Sequence, residues 1–140
     1  VIRPALEQGR FVLCDRFTDS TEAYQGGGRG LGSGAVLDLH RILLGDLRPD
    51  LTILMDSEVA ASVERARRRN RTSAPAGADE NRFEQESRAF FERVRRAYLE
   101  IARRERDRVL VVDARRTVDV VHREIVDAVR LRFCEKSRTA

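Results

Sequence analysis

The sequence predicts an α/β fold, a parallel sheet with helices packed on its faces, and three short runs carry that prediction. They are residues 11–15 (FVLCD), 51–56 (LTILMD) and 109–113 (VLVVD), each apolar along its length and each ending in aspartate. A strand with one solvated face alternates apolar and polar residues. A strand covered on both faces stays apolar throughout, which is the parallel arrangement. Helical patterning fills the stretches between the runs, as crossovers between parallel strands require.

The elements follow in order. Val1, Ile2, Arg3, Pro4, Ala5 and Leu6 read as the end of a helix that began earlier; the only methionine is Met55, so the chain is expected to be a fragment. The start lacks an uninterrupted apolar core and a small-residue cleavage site, so no signal peptide is indicated. After the run at 11–15 comes a polar, glycine-rich segment. A helix is expected over 34–44, where Val36, Leu37, Leu39, Ile42, Leu43 and Leu44 form a broad apolar face. Gly45 stops it, and Arg48, Pro49 and Asp50 turn into the next strand. Ser57 can cap a helix with Val59, Ala60 and Val63 facing inward, running into Arg65 to Arg69. Residues 70–79 (NRTSAPAGAD) lack apolar periodicity and read as a loop. An amphipathic helix is expected from about 84 to 106, with Phe90, Phe91, Val94, Tyr98, Leu99 and Ile101 inside. A last helix spans about 118–133.

Composition bounds the function. With 140 residues, 41% hydrophobic, the chain suits one domain, and no apolar run approaches the ~20 residues that cross a bilayer. No membrane partner is therefore expected. The net charge is +4, and of 27 basic residues all but Lys136 are arginine. Arginine's planar fork suits phosphates and carboxylates, so an anionic ligand is expected. The 23 acids interleave with the arginines, which speaks against a nucleic-acid surface, although a basic nucleic-acid-binding module stays open as an alternative. Cys14 and Cys134 are scattered thiols, as in a reduced, cytoplasmic protein.

The densest chemistry lies at residues 15–30. Asp15 and Arg16 close the first apolar run, where a carboxylate can hold a metal and a guanidinium can grip a phosphate bidentately. Asp15 can equally cap or pair with an arginine, and Arg16 can form an ordinary surface pair. Ser20, Thr21, Tyr24 and Gln25 follow on one or two helical turns, so Thr21, Tyr24 and Gln25 can share a side. Tyr24 can alternatively be a core aromatic with polar neighbours in water. Gly26, Gly27, Gly28, Arg29 and Gly30 lack the Gly-Lys-[Ser/Thr] ending of a phosphate loop and read as a flexible turn. His40 and His122 lie on expected helices and receive no function.

Read together, DRFTDSTEAYQGGGRGLG, GDLRPDLTILMD, ERARRRN, NRFEQES, FFERVRRAYLEIA and VVDA closely resemble thymidylate kinase of the bacterial type, nearly end to end and in order. The resemblance implies a P-loop kinase fold (nucleoside monophosphate kinase-like), ATP as co-substrate, Mg²⁺ and transfer of a phosphoryl group to dTMP, giving dTDP and ADP. Asp15 then stands on the metal side, and Arg16 orients the dTMP phosphate. Thr21 and Gln25 lie beside thymine, and Tyr24 packs on the deoxyribose and disfavours a 2′-hydroxyl; Ser20 is a candidate for the same pocket and could equally be a helix residue with no ligand role. The family also implies a lid, here about residues 65–83. Arg69 contacts the transferring group, Arg65 supplies a platform for adenine, and Arg67 completes the set. A homodimer is implied, for which the apolar faces over 36–44 and 90–101 are available unless they are core.

The sequence departs from the pattern beyond Arg69. Asn70 stands where glycine is common, the lid is lengthened, and Asn81 stands where aspartate is expected before Arg82, leaving that arginine's role open. The roles of Arg29 and the lid's geometry are likewise open. No Gly-x-x-x-x-Gly-Lys-[Ser/Thr] motif occurs in the 140 residues. The chain is thus expected to be the C-terminal part of one kinase domain, with the central strand and P-loop before Val1, and to be inactive alone. A kinase of another nucleoside monophosphate and an inactive remnant remain as alternatives.

Overall fold

The computed structural model describes residues 1–60 and 80–134, with 80–87 described by backbone alone. Two strands, β1 (Thr52–Asp56) and β2 (Val109–Asp113), pair in parallel and in register, so that Asp56 lies beside Asp113. Both are runs expected as strands. Their apolar character follows from burial: Val109 and Val112 are core residues under flanking helices.

The connection from β1 to β2 includes α4, here Glu80–Arg104. The expected inward residues Val94 and Ile101 are buried, with Phe90, Ala97 and Tyr98 packed around them. Phe91 is exposed instead. One residue after Phe90, its side chain points about 100° round the helix axis, off the buried stripe. The helix starts earlier than expected because the polar residues Glu80, Asn81 and Arg82 carry no hydrophobic period.

Residues 11–14 are not a strand. They have a strand's sequence, but β1 and β2 pair only with each other among the described residues, so no ladder forms along this run. Phe11 and Leu13 are exposed, and Phe11 meets Phe133 edge to face with ring centroids 5.5 Å apart. A strand needs a hydrogen-bonding neighbour as well as an apolar sequence.

The glycine-rich segment also departs from expectation. It is helical: α2 (Thr18–Thr21) passes into a π-helical stretch, Glu22–Gly28, rather than a flexible turn. This stretch lies antiparallel to α4, because contacts along one appear in reverse along the other. Gly28 faces Phe90 and Val94, Gly27 faces Ala97, and Arg93 Nε donates to the Gly28 carbonyl at 3.0 Å. Absent side chains let the two backbones approach. A Cβ on Gly27 collides with the Ala97 Cβ, which is fixed to its own backbone and has no rotamer to escape into. Gly27→Ala is therefore expected to destabilise the fold by about 1–3 kcal/mol, read as a lower urea midpoint.

Helix α3 (Ser33–Leu44) ends at Gly45, whose φ of 62° with ψ of −129° is a backbone that glycine adopts without strain. Arg3, on α1 (Ile2–Glu7), donates to the Leu44 carbonyl at 2.6 Å and satisfies that helix end. Val36 is the buried position of α3, while Leu37, Leu39, Ile42 and Leu43 are exposed. The last helix, α5, runs Val118–Val129 and then widens into a π turn, Arg130–Cys134, where one continuous helix was expected. Arg132 in that turn donates to the carbonyls of Asp50 and Asp107, tying together the approaches to both strands.

Candidate active site

Asp15 and Arg16 form a bend just before α2. Arg16 has φ = 65°, the one positive φ among described non-glycine residues. A left-handed arginine costs about 1–3 kcal/mol and persists only where its surroundings impose it. The bend carries the Arg16 guanidinium over the Tyr24 ring, 5.2 Å from its centroid. One face of the guanidinium is thus supported by a π face, while its donors stay available because the residue is exposed.

Tyr24 is itself held from α4. Its ring meets Phe90 at 6.0 Å and Tyr98 at 6.4 Å, both edge to face. Tyr98 donates its hydroxyl to Ser20 Oγ at 2.7 Å. Burial pushes the Tyr98 phenol above its ordinary pKa, with a smaller lowering from the bond to Ser20, so it remains a neutral donor. Arg16, Ser20 and Tyr24 are therefore brought together. Gln25 is half-buried on the next position; Thr21 and Asp15 are exposed. The candidates Arg65, Arg67 and Arg69, with most of the expected lid, lie outside the described residues.

Ion pairs that the sequence reading did not find lock this segment down. Arg108 reaches both oxygens of Asp19, at 2.7 and 2.8 Å, and also donates to Thr52 Oγ1 at 3.0 Å. Arg104 reaches both oxygens of Glu22 at 2.8 Å and bonds Glu105 at 2.9 Å. Asp19 and Glu22 are buried acids, which need such partners. Only half of a signal was present as spacing: Asp19 and Glu22 lie three apart on one helical face, but Arg108 lies beyond the end of α4, so no helical spacing pairs it with Arg104 or names their partners. Burial alone would raise the Glu105 pKa, and the hydrogen bonds from Arg108 and Arg104 outweigh it, so the carboxyl is lowered.

At the carboxyl ends of the strands, where ligands of parallel sheets gather, each aspartate is held by an arginine. Arg95 binds Asp56 bidentately at 2.6 and 2.8 Å, and Arg115 binds Asp113 at 2.8 and 2.9 Å. The hydrogen bonds from Arg95 lower the Asp56 pKa against the opposing effect of burial. Side-chain and backbone hydrogen bonds from Arg115 lower Asp113 to about 2. A depressed carboxylate stabilises the fold above its unfolded-state pKa and loses that contribution as pH falls through the folded-state value. Asp56→Asn is thus expected to lower stability at neutral pH, with the difference from wild type shrinking as pH falls below the ordinary carboxylate range. Urea midpoints followed as the pH is lowered check it.

The donor set suits a hydrated divalent cation better than a protein-enclosed one. No group of three His, Cys, Asp or Glu side chains that could hold a metal occurs among the described residues. Asp15 offers a single exposed carboxylate, and Mg²⁺ commonly keeps several waters and binds one or two carboxylates plus phosphates. No described helix is long and apolar enough to cross a membrane.

A parallel strand pair with helices packed against it, and a fold shared with a solved nucleotide kinase, make this an α/β protein of the P-loop nucleotide kinase type. The family model for thymidylate kinase matches residues 1–125, and the chain belongs to that family. It is similar to thymidylate kinase of Pseudomonas putida (strain F1), 47% identical over 138 residues, covering 99% of this chain and 61% of the relative. It is also 52% identical over 124 residues to that of Syntrophotalea carbinolica, covering 88% of this chain and 56% of the relative. The crystal structure of thymidylate kinase from Ehrlichia chaffeensis superposes with a TM-score of 0.66 at 27% identity, covering 93% of this chain and 55% of that one. The chain thus spans about 61% of the length of the first of these curated relatives.

Proposed function

We propose that these residues form the acceptor side of an enzyme that transfers the γ-phosphoryl group of ATP to dTMP, giving dTDP and ADP. The observation that carries this reading is the Arg16 guanidinium, set over Tyr24 by a left-handed backbone and open to an anion, beside Ser20. Arg16 binds the dTMP phosphate bidentately. Tyr24 lies against the deoxyribose, and Ser20, Thr21 and Gln25 turn polar groups toward the nucleoside. Asp15 faces the metal side, where Mg²⁺ neutralises phosphate charge when bound. Arg65, Arg67 and Arg69 are assigned the lid role that the family resemblance implies, Arg69 that of neutralising the transferring group, since charge that develops there needs fixed cations in a site closed to water.

The loop that cradles the ATP phosphates is assigned to a segment other than these 140 residues, which lack its motif. The 140-residue chain by itself is accordingly proposed to be inactive, and turnover above background by that chain overturns this point. The family's homodimer is assigned to α3, whose Leu37, Leu39, Ile42 and Leu43 are exposed, because the 90–101 face of α4 is core at Val94 and Ile101. Exposed thiols at Cys14 and Cys134 fit a cytoplasmic site.

Substrate preference is tested by thermal shift of the protein with dTMP against dUMP, dCMP and dGMP. The largest shift is expected with dTMP. Equal shifts for all four overturn the choice of dTMP.

A further inference from the structure

Tyr98 stands in the last third of α4, far along the chain from the segment Asp15 to Gln25, yet it makes two separate contacts with it. Its hydroxyl donates to Ser20 Oγ at 2.7 Å, and its ring packs edge to face on Tyr24 at 6.4 Å. Tyr24, half-buried, is thereby flanked by Phe90, Tyr98 and the Arg16 guanidinium. A serine hydroxyl carries one proton and two acceptor sites. With Tyr98 occupying one acceptor site, the remaining proton and lone pair of Ser20 are restricted in direction. The short Gly27 and Gly28 approach holds α4 close enough for this bond.

We propose that Tyr98 is a positioning residue for the acceptor nucleotide: through its hydroxyl it orients Ser20, and through its ring it fixes Tyr24 under Arg16. It touches none of the reacting atoms. The proposal rests on the acceptor-site reading given above and adds to it a residue outside the pocket segment. Burial supports the role, since the half-buried phenol stays protonated and donates throughout the working pH range.

The decisive variant is Tyr98→Phe, which keeps the ring on Tyr24 and removes only the donor. In the full-length protein, Tyr98→Phe is expected to raise the KM for dTMP about three- to tenfold, the worth of one hydrogen bond, with the KM for ATP as internal reference. Ser20→Ala removes the same bond from the other side and is expected to raise the KM for dTMP at least as much. In the Ser20→Ala background, Tyr98→Phe is expected to have no further effect. A merely structural Tyr98 gives a different pattern, with lower stability in both backgrounds and an unchanged KM for dTMP, and that result overturns the proposal. Equal KM increases in both backgrounds overturn it too. If wild-type protein fails to phosphorylate dTMP, the acceptor-site reading itself falls; if wild type is active and the variant KM values stay put, only the role of Tyr98 falls. Should Tyr98→Phe not fold, the Ser20→Ala arm still decides, because an unchanged KM for dTMP there overturns the proposal.

Discussion

Arg16→Ala is expected to lower kcat/KM for dTMP by about 10²–10³-fold, the usual loss when one preorganised charged donor is removed from a reacting group. The size follows from geometry. Arg16 is already held in a strained φ of 65° with its guanidinium on Tyr24, so the cost of placing it is met on folding rather than on binding. Arg16→Lys is expected to recover little, because an ammonium neither stacks on the ring in the same way nor forks onto two phosphate oxygens. Arg16→Gly separates function from folding. Glycine adopts a left-handed backbone without strain, so activity is expected to fall as for alanine while the urea midpoint holds or rises. A matching loss of midpoint and activity would assign Arg16 a structural role instead.

The largest effect on stability is expected at Arg108. Its side chain and that of Asp19 are each 12% exposed, and the pair joins α2 to the start of both strands through Thr52. Removing one member of a buried pair leaves the other's charge desolvated and unpaired, at a cost of about 3–5 kcal/mol. Arg108→Met is therefore expected to lose that much in urea denaturation, a large part of the ~5–15 kcal/mol that holds a domain folded. The loss comes mainly from the orphaned Asp19, so Arg108→Met combined with Asp19→Leu is expected to recover much of it. An additive loss in the double variant contradicts this account of the pair.

How much of this was legible in the sequence depends on whether a signal is local. β1 and β2 announced themselves as apolar runs ending in Asp56 and Asp113, and α4 as a stripe through Phe90, Val94 and Ile101, because period and burial are written in neighbouring residues. Residues 11–14 carry the same local signal and form no strand, since pairing depends on what lies alongside. Gly26 to Gly28 read as a flexible turn because glycine signals freedom locally; the use of Gly27 and Gly28 here is close approach to Ala97, Phe90 and Val94, roughly sixty to seventy residues away in the chain. Arg16, Ser20 and Tyr24, which the structure brings together, were singled out from their chemistry within a ten-residue span. Their supports, Tyr98, Arg104 and Arg108, were not, since nothing near those positions names Ser20, Glu22 or Asp19 as partner. The aspartates ending β1 and β2 were noticed as a pattern, but the arginines that grip them lie on α4 and beyond β2.

The central claim, that the segment from Asp15 to Gln25 is the acceptor site of a dTMP kinase, is tested most directly by a steady-state assay of ADP release by the full-length protein with ATP and Mg²⁺. dTMP, dUMP, dCMP and dGMP serve as alternative acceptors, with wild type and Arg16→Ala run in parallel. The account predicts turnover that is greatest with dTMP and falls about 10²–10³-fold in the variant. Turnover that ignores the base, or an Arg16→Ala protein as active on dTMP as wild type, contradicts it.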